Sequence, residues 1–310
     1  MGFELFSGAV LAVAALTQTQ QPPVAAGDKP IIASSKPASV PFELRDNLVT
    51  IDAIVNGRTQ RAVLDSGAAA LIVDQGFARH IGLGEGQSVG DVGGAGEQAQ
   101  QLRPVEVSSL SVGPLRFNHV PGYSVNLEQL SASAGFPVNL LIGAPAFKYA
   151  AVTVDYRRGR VTFGPSGSTG KCAAPIPLAI VDEVPVVEVE LRHTLDSTPV
   201  RLKLVVDLGT RHRAMIIGGP FVRSETGKAL LRSGVSQRIG HGTGGEVQGI
   251  VGRVAQLRIG QTSIANMEVA LASGSPTFEA GIVDGTLGVP FWKDGVITFD
   301  YQAKSLCIER

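Results

Sequence analysis

Two aspartates stand where carboxylates are uncommon. Asp65 ends the apolar run Ala62-Val63-Leu64, and Asp207 ends Leu204-Val205-Val206; runs of this kind read as buried strand, where a carboxylate is costly unless paired. Glycine follows each two residues later, at Gly67 and Gly209, permitting a tight turn that aims the side chain outward. Brought face to face, two carboxyls cannot both ionise comfortably. One then keeps a proton near neutral pH while the other can accept one from water, which is the equipment for attacking an amide with a positioned water. Two unrelated turn aspartates would give the same letters, so the rest of the chain must decide whether they meet.

The elements that could position them repeat. Leu141-Ile142-Gly143-Ala144-Pro145 through Val154-Asp155-Tyr156 recurs as Thr286-Leu287-Gly288-Val289-Pro290 through Phe299-Asp300-Tyr301, at an offset of 145 (288 − 143 and 301 − 156). Leu110-Ser111-Val112-Gly113 matches Leu257-Arg258-Ile259-Gly260 at 147 (260 − 113), and the aspartate motifs match at 142 (207 − 65). Common order and near-constant offset imply two homologous lobes, 42–166 and 174–310, joined by a connector at 167–173. If the lobes pack about a pseudo-twofold axis, Asp65 and Asp207 face each other.

Each lobe reads as strand, turn, strand with little helix. Val49–Val55 leads through Asn56-Gly57, a strong hairpin signal, into a second strand, Arg61–Leu64. Asp74 caps a short helix through Phe77 and Ala78 that Gly82 stops, while Pro185–Leu191 and Val200–Val206 are the equivalent strands of the second lobe and Phe221–Leu231 its helix. Glycine makes up 38 of 310 residues, in keeping with many turns. The 27 basic and 27 acidic residues cancel, leaving no electrostatic footprint for nucleic acid or an anionic membrane. Leu5–Leu16 is too short to span a bilayer but suits a secretory signal, with cleavage expected after Ala26 although only Glu4 precedes the stretch among charged residues. Residues 1–26 are therefore expected to be a signal and 27–41 a flexible linker, giving an exported, periplasmic or secreted protein with no stable membrane span after signal removal.

The pattern Val63-Leu64-Asp65-Ser66-Gly67-Ala68, then Leu71-Ile72-Val73-Asp74, then Leu141-Ile142-Gly143, resembles the aspartic proteases of the pepsin and retropepsin superfamily, over about 42–308. The resemblance implies an all-β, bilobal aspartic-protease-like fold with few short helices, a dyad of Asp65 and Asp207, and active-site loops of Ser66, Gly67 and Ala68 and of Leu208, Gly209 and Thr210. The loops would be supported by Leu141, Ile142 and Gly143 and by Leu287 and Gly288. It further implies an aspartic endopeptidase, a peptide or protein substrate, no cofactor and a monomer. Leu208 departs from the family's Ser or Thr, whose hydroxyl bonds across to the other lobe. The alternative is a peptide-binding protein on the same scaffold, impaired in catalysis.

Glycine-dense stretches occupy the family's flap position in each lobe, with Gly93, Gly94 and Gly96 in one and Gly242, Gly244 and Gly245 in the other. The second contains G-x-G-x-x-G from Gly240, without the βαβ context of a dinucleotide site. Five scattered histidines offer no metal-ligand spacing. Ser168 and Lys171 match S-x-x-K by letter only, and no G-x-S-x-G occurs. Phe147, Phe163, Phe291, Trp292 and Phe299 are expected in the core. By the family resemblance Cys172 and Cys307 fall on neighbouring strands and form either a disulfide or two buried thiols. The charges of Arg211-His212-Arg213 are expected on the solvent side.

Overall fold

A computed structural model describes residues 31–32, 36–93, 99–168, 172–242, 245–272, 276–279 and 281–309. The expected signal, 1–26, lies outside them. The chain is mostly β, with barrel-like sheets and a few short helices, as an all-β aspartic-protease-like fold requires. In the first half, strands Leu115–Val125, Leu71–Asp74, Leu140–Ile142, Arg58–Leu64, Leu48–Val55 and Ala99–Val112 pair in that order, and the last pairs back onto the first. In the second half, Thr262–Leu271, Met215–Ile217, Gly285–Gly288, Val200–Asp207, Val184–Arg192 and Gly245–Ile259 repeat the order. Closure removes the edges that an open sheet would expose.

Local chemistry accounts for these elements. Asn56 and Gly57 take positive φ of 49° and 79°, the geometry of a two-residue hairpin turn between Leu48–Val55 and Arg58–Leu64. Asp74 caps the helix Gln75–His80 by accepting from Phe77 N at 2.9 Å. The single helix expected at Phe221–Leu231 is instead two, Gly219–Arg223 and Glu225–Ser233. Ser224 between them is extended, and its hydroxyl accepts from Gly227 N at 3.1 Å, so a cap interrupts what the apolar spacing reads as continuous.

A third sheet draws strands from both halves, in the order Ile176–Pro177, Ser305–Glu309, Val296–Asp300, Ala151–Asp155, Arg160–Gly164 and Ala38–Pro41. Thr153 pairs with Thr298, its own repeat equivalent, and their hydroxyls meet at 2.9 Å. Phe147, Phe163, Phe291, Trp292 and Phe299 are buried as expected. Residues 38–41 correct the linker expectation: they pair with Arg160–Gly164, Val40 packs on the core and Ser39 Oγ meets Thr162 Oγ1 at 2.6 Å. Pro41 is tolerated because this is an edge strand. Ile31–Ile32 also pairs, against Leu115–Val125.

Cys172 and Cys307 form a disulfide with Cα atoms 5.8 Å apart, the expected alternative of free thiols being excluded. Gly167 N and Ser166 Oγ both bond the Asp300 carboxylate at 2.8 Å, so the connector is held on the shared sheet from both sides of residues 169–171. The bridge closes 135 residues. Cys172→Ser with Cys307→Ser should lower stability by about 2–4 kcal/mol, read as a reduced midpoint in urea with a steeper slope, because the unlinked denatured chain is more expanded.

Candidate active site

The threading of each aspartate loop follows from the repeated strands. Leu140–Ile142 runs parallel to Arg58–Leu64, and Asp65 N donates to Ile142 O at 3.0 Å. Ala144 N then donates to Ala68 O at 2.9 Å, and Val289 N does the same to Thr210 O at 2.7 Å. Gly143 and Gly288 lie against Ala68 and Thr210 so closely that a Cβ at either would collide with the loop's backbone. Leu141, Ile142, Leu287, Gly143 and Gly288 thus stand beneath the loops.

The loops meet. A Cβ on Gly67 would lie 2.5 Å from Asp207 Oδ1, and one on Gly209 would lie 2.8 Å from Asp65 Oδ2; each glycine makes room for the carboxyl of the other half. Both aspartates have zero exposure. Gly67 N donates to Asp65 Oδ1 at 2.9 Å and Gly209 N to Asp207 Oδ1 at 2.7 Å. Symmetry then breaks, because Thr210 Oγ1 donates to Asp207 Oδ2 at 2.7 Å whereas position 68 is alanine. Asp65 Oδ2 is buried with no donor among the described residues.

This asymmetry distributes the proton. Burial, the charge of Asp207 and a hydrogen bond to it hold the Asp65 carboxyl well above its ordinary pKa. Burial also raises Asp207, but the Thr210 hydroxyl and the Gly209 amide oppose it. A proton on Asp65 Oδ2 satisfies the orphaned oxygen by donation to Asp207. An acid with a raised native pKa binds its proton more tightly when folded, so its contribution to stability is present at low pH and lost as pH rises through the folded value. Asp65→Asn, which cannot ionise, should therefore raise the thermal midpoint near neutral pH and lose that advantage below about pH 4.

Leu208 does not separate the carboxyls. Its side chain lies in the core, and its amide donates to Ser66 Oγ at 3.0 Å while Ser66 Oγ donates to Val206 O at 2.7 Å. One hydroxyl thus bonds across to the second half, and nothing from position 208 can return it.

Other expectations distribute unevenly. Gly90–Gly93 pairs with Ala99–Val112, and Val235–Gly242 with Gly245–Ile259, so both glycine-dense stretches belong to hairpins. Gly93, Gly242 and Gly245 end these strands; Gly94, Gly96 and Gly244 lie outside the described residues. The solvent-side reading of Arg211-His212-Arg213 fails at Arg211, which has zero exposure and pairs with Asp46. His212 Nε2 meets the other oxygen of Asp46 at 2.6 Å. Only Arg213 follows the expectation in part, with a pair to the half-exposed Glu268. Tyr301 was legible only as the end of a repeat. It is buried, stacks on Phe147 with ring centroids 5.6 Å apart, and has no partner for its hydroxyl among the described residues. Burial first, then the charges of Asp65, Glu183 and Asp207, hold its hydroxyl far above the usual tyrosine range. A cavity of about 570 Å³ lined by Asp74, Arg79, Glu128 and Phe136 includes neither Asp65 nor Asp207 in its wall. Among the described residues there is no cluster of three metal-ligating side chains and no helix long and apolar enough to cross a membrane.

Residues 51–146 match the family model for aspartyl proteases. The match contains Asp65 and its supporting Leu141-Ile142-Gly143 and ends before Asp207. A retropepsin-like aspartic protease from Rickettsia conorii is similar in structure, with 16% identity and a TM-score of 0.31 over 42% of this chain and 93% of that one. No curated protein matches the sequence.

Proposed function

We propose that the protein is an aspartic endopeptidase whose Asp65 and Asp207 activate water for peptide-bond hydrolysis. The observation that carries this reading is the pair itself: two buried carboxyls, each set against the glycine of the other's loop, of which one has every oxygen satisfied by donors and the other has one oxygen left for a proton. The Asp207 carboxylate takes a proton from water as the water oxygen bonds to the carbonyl carbon. Asp65 gives its proton to the carbonyl oxygen. Collapse of the resulting diol breaks the C–N bond, with the proton on Asp207 passing to the leaving nitrogen and a diol proton returning to Asp65, so both groups end as they began. Every proton moved in these steps is carried by the two aspartates or by the reactants.

Complete burial of both carboxyls means that a substrate carbonyl reaches them only after covering chain moves aside. The paired glycine-dense hairpins are the natural elements for that movement, acting as flaps over an extended peptide. The peptide-binding alternative rests on Leu208, and the close approach of the carboxyls favours the enzyme. Export to the periplasm or outside the cell fits the disulfide, and the reading is of a monomer, since one chain supplies both aspartates.

Cleavage of casein or a peptide library between pH 3 and 7, by the parent and by Asp65→Asn, tests the proposal. The expected result is a bell-shaped profile with an acidic optimum, because the singly protonated pair is the working state. Peptide binding without cleavage across that range would transfer the assignment to the binding protein.

A further inference from the structure

Arg211 is among the largest wholly buried side chains of the molecule, although guanidinium groups are almost never fully buried unless paired. It follows Asp207 by four residues, on the same loop. Every hydrogen-bonded partner it has among the described residues nevertheless belongs to the first half. Its guanidinium pairs with Asp46 and donates from Nη2 to Ser133 Oγ at 2.8 Å, while its carbonyl accepts from Asn47 Nδ2 at 2.8 Å. Asp46 and Asn47 form the turn before Leu48–Val55, both at positive φ, and that strand pairs with the one ending at Asp65. Ser133 lies in the helix Glu128–Ala134.

Among the described residues the aspartate loops and their flanks are therefore fastened across the halves by Ser66 Oγ on the backbone at 206 and 208 and, just beyond the second loop, by Arg211 together with His212 on Asp46. We infer that Arg211 is a positioning residue for the proposed hydrolysis, its buried pair with Asp46 holding the 207–210 loop in register where Leu208 has no hydroxyl to do so. It acts through that loop and not on the substrate. A buried ion pair is weak as a source of stability, because desolvation offsets its attraction, but it tolerates little displacement. The ionisable groups facing Arg211 are Asp46 and, through Asp46, His212; those facing the dyad include Tyr301.

Coupling between the carboxyls falls as they separate, so the gap between their two titration steps reports their registration. The inference rests on the peptidase reading, yet that gap can be measured without activity, by carbon-13 NMR of labelled aspartate carboxyls in the full chain between pH 2 and 9. Asp46→Asn and Arg211→Lys, the latter keeping the charge but not the planar fork, should each narrow the gap by about one pH unit. They should lower kcat about tenfold or more with KM within about twofold. Ser133→Ala removes one bond only and should narrow the gap by less, which keeps the test open should the charge variants not fold. A lowered thermal midpoint with an unmoved gap in every folded variant would make Arg211 structural only and overturn the inference. A narrowed gap in a chain that never cleaves peptide would sustain it while sinking the peptidase reading.

Discussion

Replacing Asp65 or Asp207 with asparagine should lower kcat by about 10³-fold or more in the cleavage of a fluorogenic peptide, with peptide affinity by calorimetry nearly unchanged. An amide keeps the carboxyl's shape and cannot exchange the proton. The double replacement should cost little beyond either single one, because the carboxyls act as a unit. The two variants should differ in stability. In Asp65→Asn the new NH2 group can turn toward Asp207, filling the place of the shared proton, since no other donor among the described residues approaches Asp65 Oδ2. Both oxygens of Asp207 already accept, from Gly209 N and Thr210 Oγ1, so Asp207→Asn can keep its oxygen on Gly209 N only by turning its NH2 group to Thr210 Oγ1, whose proton must then swing to Thr286 Oγ1 at 3.3 Å, exchanging a charge-assisted bond for neutral ones at a cost of about 1 kcal/mol. Asp207→Asn at near-parental rate would refute the dyad.

A second large effect is expected at the glycines between the carboxyls. Gly67→Ala places a methyl 2.5 Å from Asp207 Oδ1, and Gly209→Ala one within 3.0 Å of three Asp65 atoms. Neither neighbour can withdraw, because Asp207 is held by two donors and both side chains are enclosed. Relief requires the loops to part. A displacement of about 1 Å should cost about 10²-fold in kcat/KM, and overpacking about 1–3 kcal/mol of stability. The two losses should be separable: a compensating stabilising change elsewhere would restore the thermal midpoint but not the rate. Parental activity in Gly67→Ala would mean that the carboxyls are not in contact in the working enzyme.

Asp65 and Asp207 were legible because a carboxylate ending an apolar strand is anomalous and the anomaly recurs. The loop supports came from the family resemblance, whereas the capped helix at Asp74 and the hairpin at Asn56-Gly57 were legible because their chemistry is local. What escaped depends on partners distant in sequence. Arg211 is buried because Asp46, 165 residues away, meets it, and nothing in a run of three basic residues announces such a partner. Ala38–Pro41 has a linker's composition and becomes a strand only because Arg160–Gly164 offers an open edge. The break at Ser224 was readable in principle, since a serine ahead of a new helical turn is a capping signal, but the apolar spacing across it suggested continuity. The unequal proton affinity of the carboxyls turns on alanine at 68 against threonine at 210, a difference visible in the letters whose meaning needed the Thr210 hydroxyl placed at Asp207.

The pairing of Thr153 with Thr298 bears on the order in which the molecule assembles. Each closed sheet draws its strands from one half of the chain and can form by contacts within about 100 residues. The central sheet cannot. Its middle pair joins residues 145 apart, and closing that loop, costlier than any pairing within a half, becomes easier once both flanking sheets have shortened the chain between them. Carboxyl contact across the halves waits on the same event. During refolding, protection of the amides bonded between Ala151–Asp155 and Val296–Asp300 should therefore appear last, after that of their local hairpins with Arg160–Gly164 and Ser305–Glu309, and together with coupled titration of Asp65 and Asp207, so that on the proposed reading the chain acquires its chemistry in its final step.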